Sequence, residues 1–133
     1  NAAAIEQLRV TMARTSATHV VLPESYFPAW SAATDAFLEP LWRRLAQDGR
    51  TVTFGVQRLD PASARLDSLV LVRGISRGQV SQHYPVPLSM YRFDAPGSVP
   101  LRWRGSYQVT IGSERPAVLI CWEQLLLAPM LGV

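Results

Sequence analysis

The sequence predicts a layered α/β fold, in which helices pack on a β-sheet. Two segments carry apolar residues at the three- and four-residue spacing of amphipathic helices, and shorter apolar, β-branched runs separate and follow them. The predicted order is helix, strand, helix, strand, strand, loop, strand and then a turn into another helix. This order is typical of a layered α/β sandwich.

The first predicted helix covers Ala2 to about Ser16, where Ile5, Leu8 and Met12 recur at helical spacing. The run that begins at His19 is too short for a helix and rich in β-branched residues, so it predicts a buried strand closed by a proline. Glu24 therefore lies at the carboxyl end of a strand, where open α/β sheets bind ligands.

The second predicted helix begins at Ser31 and ends at Asp48-Gly49, because serine favours helix starts and glycine favours helix ends. Pro40 lies inside this pattern and predicts a break or a kink. The aromatic loop before the helix is compatible with two roles, packing or the lining of an apolar substrate pocket together with Trp122. Its aromatic residues are Tyr26, Phe27 and Trp30.

Two further strands, residues 51–59 and 66–72, flank a turn at 60–63 and predict a hairpin. Gly74 and Gly78 are interpreted as part of a short connection. The prolines that follow predict an ordered loop at 82–91 and a looser one at 94–106, and residues 107–111 suit another short strand.

The apolar run 116–120 leads into Cys121, the only cysteine of the chain. A strand that ends on a sharp turn exposes the first side chain of the turn, so Cys121 is a candidate nucleophile and the amide of Trp122 a candidate oxyanion donor. The alternative is a buried structural cysteine, because free cysteine packs like a small hydrophobic residue.

The composition indicates one globular domain or part of one: 133 residues, 48% hydrophobic and 17% charged. A single cysteine excludes an internal disulfide framework. The net charge of +3 comes from thirteen scattered arginines, and this arrangement argues against nucleic-acid binding. The chain contains no lysine and no apolar run of the roughly 18–20 residues that cross a bilayer. We expect neither a metal nor a cofactor.

Four short runs fall in the order found in the carbon-nitrogen hydrolase (nitrilase) superfamily, which the chain resembles from its first helix to the cysteine turn. They are Leu22-Pro23-Glu24, Asp67-Ser68-Leu69-Val70, Val86-Pro87 and Ile120-Cys121-Trp122-Glu123. Within that superfamily, residues 85–90 and 120–126 resemble plasmid conjugal-transfer TraB proteins, which are related to apolipoprotein N-acyltransferase.

The resemblance implies an αββα sandwich of about twice this length, so residues 1–133 are expected to be a single incomplete domain, roughly its N-terminal half. It also implies a Glu-Lys-Cys triad. By position, Glu24 matches the general base and Cys121 the nucleophile, whereas the lysine position falls on Gln82. Met90 occupies the place of a supporting glutamate.

Without a lysine, the positive charge of the triad has to come from an arginine, from protonated His83, from a residue outside this sequence, or from nothing. His83 adjoins the lysine position, although a lone histidine in a proline-rich loop is more often a surface or hydrogen-bonded residue. Glu123 is expected to support the cysteine turn through backbone amides, and the alternative is a solvent-facing acid in the first helical turn.

The expected function is acyl transfer or amide C–N hydrolysis through a cysteine thioester, on a small-molecule or acyl substrate, within a TraB-like conjugal-transfer protein. The alternative is a catalytically silent binding or scaffolding domain of a conjugation or envelope assembly. A TraB relationship implies a full-length protein attached to the bacterial inner membrane, with this domain on the periplasmic side. Homo-oligomer formation stays open.

Overall fold

A computed structural model of the chain describes residues 2–60, 65–82, 108–118 and 120. Within these residues the helices are α1 (Ala2–Arg14) and α2 (Ala32–Gln47), and the strands are β1 (His19–Val21), β2 (Thr51–Asp60), β3 (Arg65–Gly74) and β4 (Gly78–Ser81). The strands form one sheet in the order β1-β2-β3-β4. β1 is parallel to β2, and the other neighbours are antiparallel. The predicted α/β class and the β2–β3 hairpin are therefore confirmed.

The main core lies between the helices and one face of the sheet. Alternate residues of β2 and β3 point to this face, as the period of two of a β-strand requires. The members of this core that the helices and strands contribute are Leu8 and Met12 of α1, Leu38, Trp42 and Leu45 of α2, Val52, Phe54 and Val56 of β2, and Leu69 and Leu71 of β3. The periodic apolar positions of the two helices thus serve the packing predicted for them.

The second helix begins and ends where the sequence predicts. Its N-cap is Ser31, whose Oγ accepts a hydrogen bond from the backbone N–H of Thr34 at 3.1 Å, and Gly49 follows its C-cap with a φ of +69°. Of the two outcomes predicted at Pro40, a break or a kink, the break is wrong, because α2 continues through this residue. Packing of buried α2 residues on the sheet compensates for the backbone hydrogen bond that proline lacks.

An ion pair joins α2 to β3 on the helix side. The guanidinium of Arg73 binds Asp35 through two bonds, Nε to Oδ1 at 3.0 Å and Nη2 to Oδ2 at 2.7 Å, and Trp42 Nε1 donates to the same carboxylate at 3.0 Å. Burial acts to raise the pKa of Asp35, but the hydrogen bonds and the positive charge of Arg73 outweigh it, so this pKa lies below its ordinary value.

Two expectations about the strands of this sheet are wrong. Gly78, interpreted as part of a connection, begins β4, which pairs with β3 and buries Val80. The first strand is not buried: among the described residues it lies at the edge of the sheet, and Val21 is 70% exposed. Both differences depend on which strands become neighbours, and this is a tertiary property.

The second face of the sheet is covered by the segment 108–118. The short strand expected at 107–111 is replaced, in its described part, by isolated bridges, which pair Gln108 with Ala117 and Ile111 with Glu114. No strand includes the described residues of the run 116–120. Val109 packs on Val72 and Val80 and so holds this segment against the sheet. Asp60, the first residue of the predicted turn at 60–63, belongs to β2. The rest of that turn, residues 83–91 and 94–106 of the predicted loops, and the cysteine turn lie outside the described residues.

Candidate functional site

Glu24 lies in a short bulge of the backbone, residues 24–26, which hydrogen bonds to β2 hold in place at both ends. The chain departs from β2 after Pro23 and returns to it at Phe27. Gly55 binds both sides of this bulge: its N–H donates to Pro23 O at 3.1 Å, and its carbonyl accepts from the N–H of Phe27 at 3.2 Å. Glu24 follows β1 by three residues, so the expectation that it lies at the carboxyl end of a strand is confirmed.

The bulge needs a residue without a side chain beneath it. A Cβ atom at Gly55 would overlap the backbone carbonyl of Glu24. Sequence reasoning missed Gly55 as part of the site, although a glycine inside a β-branched run is a known sign of close backbone approach. Glu24 therefore depends on two features for its position, the paired hydrogen bonds and the bare backbone at residue 55.

A cavity of about 370 Å³ lies between this face of the sheet and the segment 108–120, and Glu24 is part of its wall. Most of the wall is apolar, with Val21, Val70 and Val118 among its residues. Ile120 also lines it. The residue that directly precedes Cys121 in the chain and the predicted general base thus border one cavity.

A polar pair that was not predicted as part of the site lines the same cavity. His19 Nε2 and Thr53 Oγ1 are hydrogen-bonded at 2.9 Å, and both residues border the cavity. His19 is the basic residue among the described residues that line it. The pairing of Val21 with Thr53 puts His19 and Thr53 on one face of the sheet, but the sequence alone does not reveal this register.

Gln82, which the sequence resemblance predicts to occupy the lysine position of the triad, is 3% exposed and directly follows β4. Its backbone N–H donates to Ser68 O at 2.8 Å, and the alternation of β4 continued by one residue puts it on the same face as Val80. This is also the face that carries Glu24. Two strand spacings of about 4.8 Å separate β4 from β2, and the described lining of the Glu24 cavity does not include Gln82.

The other predicted site residues lie outside the described residues: the candidate nucleophile, its two neighbours in the turn and the candidate acid of the proline-rich loop. They are Cys121, Trp122, Glu123 and His83. Of the predicted triad, the structure therefore describes the base and the lysine position.

The aromatic loop packs rather than lines the cavity. Phe27 is fully buried and Trp30 is 8% exposed, and both rings contact Phe54 in the helix-side core, with centroid distances of 5.5 and 5.4 Å. Tyr26 is half-buried, and its hydroxyl has no hydrogen-bond partner within the described part of the chain. Burial raises the pKa of Tyr26. For Phe27 and Trp30, packing is the correct alternative, whereas Trp122 lies outside the described residues.

The described residues contain no group of three or more His, Cys, Asp or Glu side chains arranged to hold a metal ion. None of their helices has the length and apolar character that crossing a membrane requires. No model of a known protein family matches the chain, and no curated protein matches it significantly. The candidate site is a carboxylate at a largely apolar cavity, next to the segment that leads to the cysteine.

Proposed function

We propose that this chain is a nitrilase-superfamily domain that performs acyl transfer or amide C–N hydrolysis through a thioester on Cys121. One observation carries the proposal: Glu24 and Ile120 line the same cavity. Consecutive Cα atoms across a trans peptide are about 3.8 Å apart, so the proposed nucleophile is tied covalently to the wall that Glu24 shares. In this proposal the described sheet and helices form one α and one β layer of an αββα sandwich.

In the proposed reaction, Glu24 removes the thiol proton as Sγ attacks the substrate carbonyl carbon. The C–N bond of the tetrahedral intermediate then breaks, and the amine leaves with the proton that Glu24 returns. Water or a second amine then attacks the thioester carbonyl carbon and gives up a proton to Glu24. The C–S bond breaks, the acyl group leaves as the acid or the new amide, and Glu24 returns the proton to the thiolate, which restores the thiol and the carboxylate. The cavity of about 370 Å³ falls within the roughly 300–1,000 Å³ usual for small-molecule sites. The TraB resemblance supports a place for this chemistry in a bacterial conjugation apparatus.

The test is covalent labelling of the full chain with an activated ester, followed by mass spectrometry. We expect one adduct on the wild-type protein and none on the Cys121→Ala variant. General-base catalysis contributes about 10²–10⁴ in rate, so Glu24→Gln should slow labelling by at least about a hundredfold. Glu6→Gln is the matched control, because Glu6 is an exposed carboxylate on α1 and does not line the cavity. Absence of an adduct, or equal rates for Glu24→Gln and Glu6→Gln, would contradict the proposal.

A second candidate function, a silent binding or scaffolding domain, is favoured by Gln82. This residue is 3% exposed, stands where the family has its lysine, and belongs to a chain of 133 residues that contains no lysine. A side-chain amide can donate a hydrogen bond to an oxyanion, but it supplies no positive charge. A like-charged carboxylate then raises the cost of forming the thiolate.

Introducing the missing charge distinguishes the two candidates. If the wild-type protein forms no thioester only because it lacks a cation, Gln82→Lys should create thioester formation, whereas the uncharged Gln82→Met should not. Circular dichroism must show that both variants fold, because burying a lysine is costly. If the wild-type protein turns over substrate and Gln82→Lys does not raise the rate, the result would favour an enzyme that is active without a lysine. No adduct with either variant would favour the scaffold.

A further inference from the structure

A second cavity, of about 550 Å³, lies where the carboxyl-terminal turns of α1 and α2 meet. This is the helix side of the sheet, whereas Glu24 and its cavity lie on the other face. The apolar residues that line it include Met12, Leu41 and Leu45. Met12 and Leu45, 3% and 2% exposed, lie beneath the surface of the cavity. Leu41 is half-buried and Ala13 and Pro40 are exposed, so these three residues form its accessible apolar floor.

The same cavity carries an excess of positive charge. Its charged lining residues are three arginines, Arg9, Arg44 and Arg50, and one carboxylate, Asp48. The excess is therefore two positive charges. Most of these charges lie near the solvent. Arg9 and Asp48 are exposed residues, and the side chain of Arg44 is 81% exposed. The result is an apolar floor below a cationic rim.

Arg50 is the fixed member of the rim. Its guanidinium donates from Nη1 to Met12 O at 2.8 Å, from Nη2 to Thr15 O at 2.9 Å and from Nε to Ala17 O at 3.1 Å. All three acceptors are backbone carbonyls at or just after the end of α1, where helical carbonyls lack partners within the helix. The three bonds fix the geometry of Arg50 and leave its positive charge at the cavity.

The other two arginines are only weakly engaged. Arg44 Nε lies 4.0 Å from Asp48 Oδ2, and an exposed pair at this distance contributes little. The guanidinium of Arg9 lies over the ring of Phe37, 5.6 Å from its centroid. A cation–π contact leaves the N–H donors at the edge of the guanidinium free to bind an anion.

We propose that this cavity binds an acyl carboxylate, an anionic amphiphile of the fatty-acid class. The hydrocarbon chain covers the floor of Ala13, Pro40 and Leu41. The carboxylate accepts hydrogen bonds from Arg44 and Arg9, because a guanidinium presents paired donors that match a carboxylate. An inorganic anion would leave the floor exposed, and a neutral apolar molecule would leave the arginines without a partner. The site and its ligand are independent of any chemistry at Cys121.

The test is calorimetric titration of the full chain with laurate below its micelle concentration. We expect saturable binding of one laurate, and a loss of roughly tenfold in affinity for Arg44→Ala, since this change removes charge-assisted hydrogen bonds to the carboxylate. Arg43→Ala is the matched control. Arg43 is adjacent in α2, its side chain is 74% exposed, and it has its own partner, Glu39, four residues earlier. It does not line the cavity, so its change should alter affinity less than twofold.

Further arms separate the contributions of charge and apolar surface. We expect much weaker binding of 1-dodecanol, which lacks the charge, and of inorganic phosphate, which lacks the chain. The proposal is overturned by the absence of saturable laurate binding or by equal affinities for laurate and dodecanol. Phosphate binding as strong as laurate would overturn it as well. Equal losses for Arg43→Ala and Arg44→Ala would assign binding to general surface charge, and an unchanged affinity in Arg44→Ala would assign it to another place on the protein.

Discussion

Replacing Gly55 by alanine tests whether the bare backbone of β2 holds Glu24 in place. The added Cβ would overlap the Glu24 carbonyl, and the clash is with backbone, so no change of side-chain rotamer relieves it. The bulge has to move away from β2 instead. This movement stretches or breaks the two bonds that fix the bulge, Gly55 N–H to Pro23 O at 3.1 Å and Phe27 N–H to Gly55 O at 3.2 Å.

The expected cost follows from those two contributions. Two backbone hydrogen bonds contribute about 1–3 kcal/mol together, and forcing a methyl group into a packed site costs about 1–3 kcal/mol more. The free energy of unfolding should therefore fall by roughly 2–6 kcal/mol in Gly55→Ala. Reduced backbone entropy of the unfolded chain offsets less than about 1 kcal/mol of this loss.

Urea unfolding followed by tryptophan fluorescence measures the effect. Gly78→Ala is the matched control, a second strand glycine at which a Cβ would lie 3.7 Å from Val109 Cγ1, an ordinary contact. We expect its unfolding free energy to stay within about 1 kcal/mol of wild type. With a urea slope of about 1–3 kcal/mol per molar, the Gly55→Ala midpoint should fall by about 1 M or more. Equal midpoints for the two variants would refute the close approach of Glu24 to Gly55.

Three other variants test the framework. The lowered pKa of Asp35 contributes stability above the unfolded value of about 4, and this contribution is lost as pH falls through the folded value. Asp35→Asn should therefore be less stable than wild type at pH 7 and nearer to it at pH 3, as measured by urea midpoints. Arg50→Ala leaves three carbonyls of the α1 end without their donor and should cost about 2–4 kcal/mol, with faster amide exchange in α1. Ser31→Ala should cost about 1 kcal/mol, and Ser31→Asp should retain the cap.

Local signals were sufficient to predict the helices and the hairpin. The 3.6-residue period of α1 and α2 reports the face that each helix buries, and Ser31 and Gly49 mark the ends of α2 through capping chemistry that depends only on neighbouring residues. The hairpin was predictable because its two β-branched runs are separated by a proline-containing turn. The break predicted at Pro40 is wrong for the opposite reason, since packing against the sheet outweighs the local preference of proline.

Features that depend on distant pairing were not predictable. The four-residue strand Gly78–Ser81 has little β propensity of its own, and it forms because β3 offers it a neighbour. The exposure of Val21 depends on β1 lying at the edge of the described sheet. The position of Glu24 just after β1 was predictable, because a short apolar run closed by a proline indicates a strand end. The contribution of His19 and Ile120 to the Glu24 cavity depends on strand register and on a segment about a hundred residues away from β1.

The difference between an enzyme and a silent domain reduces to one electrostatic quantity. A unit positive charge about 4 Å from an anion contributes about 4 kcal/mol at an effective dielectric constant of 20, which corresponds to roughly a thousandfold in rate. The buried amide of Gln82 carries no such charge, although a neutral oxyanion donor recovers about 2.7–4 kcal/mol where its geometry is right. His19 is the basic side chain in the described lining of the Glu24 cavity, and it already has a hydrogen-bond partner in Thr53. Active chemistry at Cys121 therefore requires a cation near the thiolate, or an amide donor aimed at the oxyanion. The two hydrogen bonds of Gly55 that hold Glu24 in place are equally compatible with an enzyme and with a silent domain.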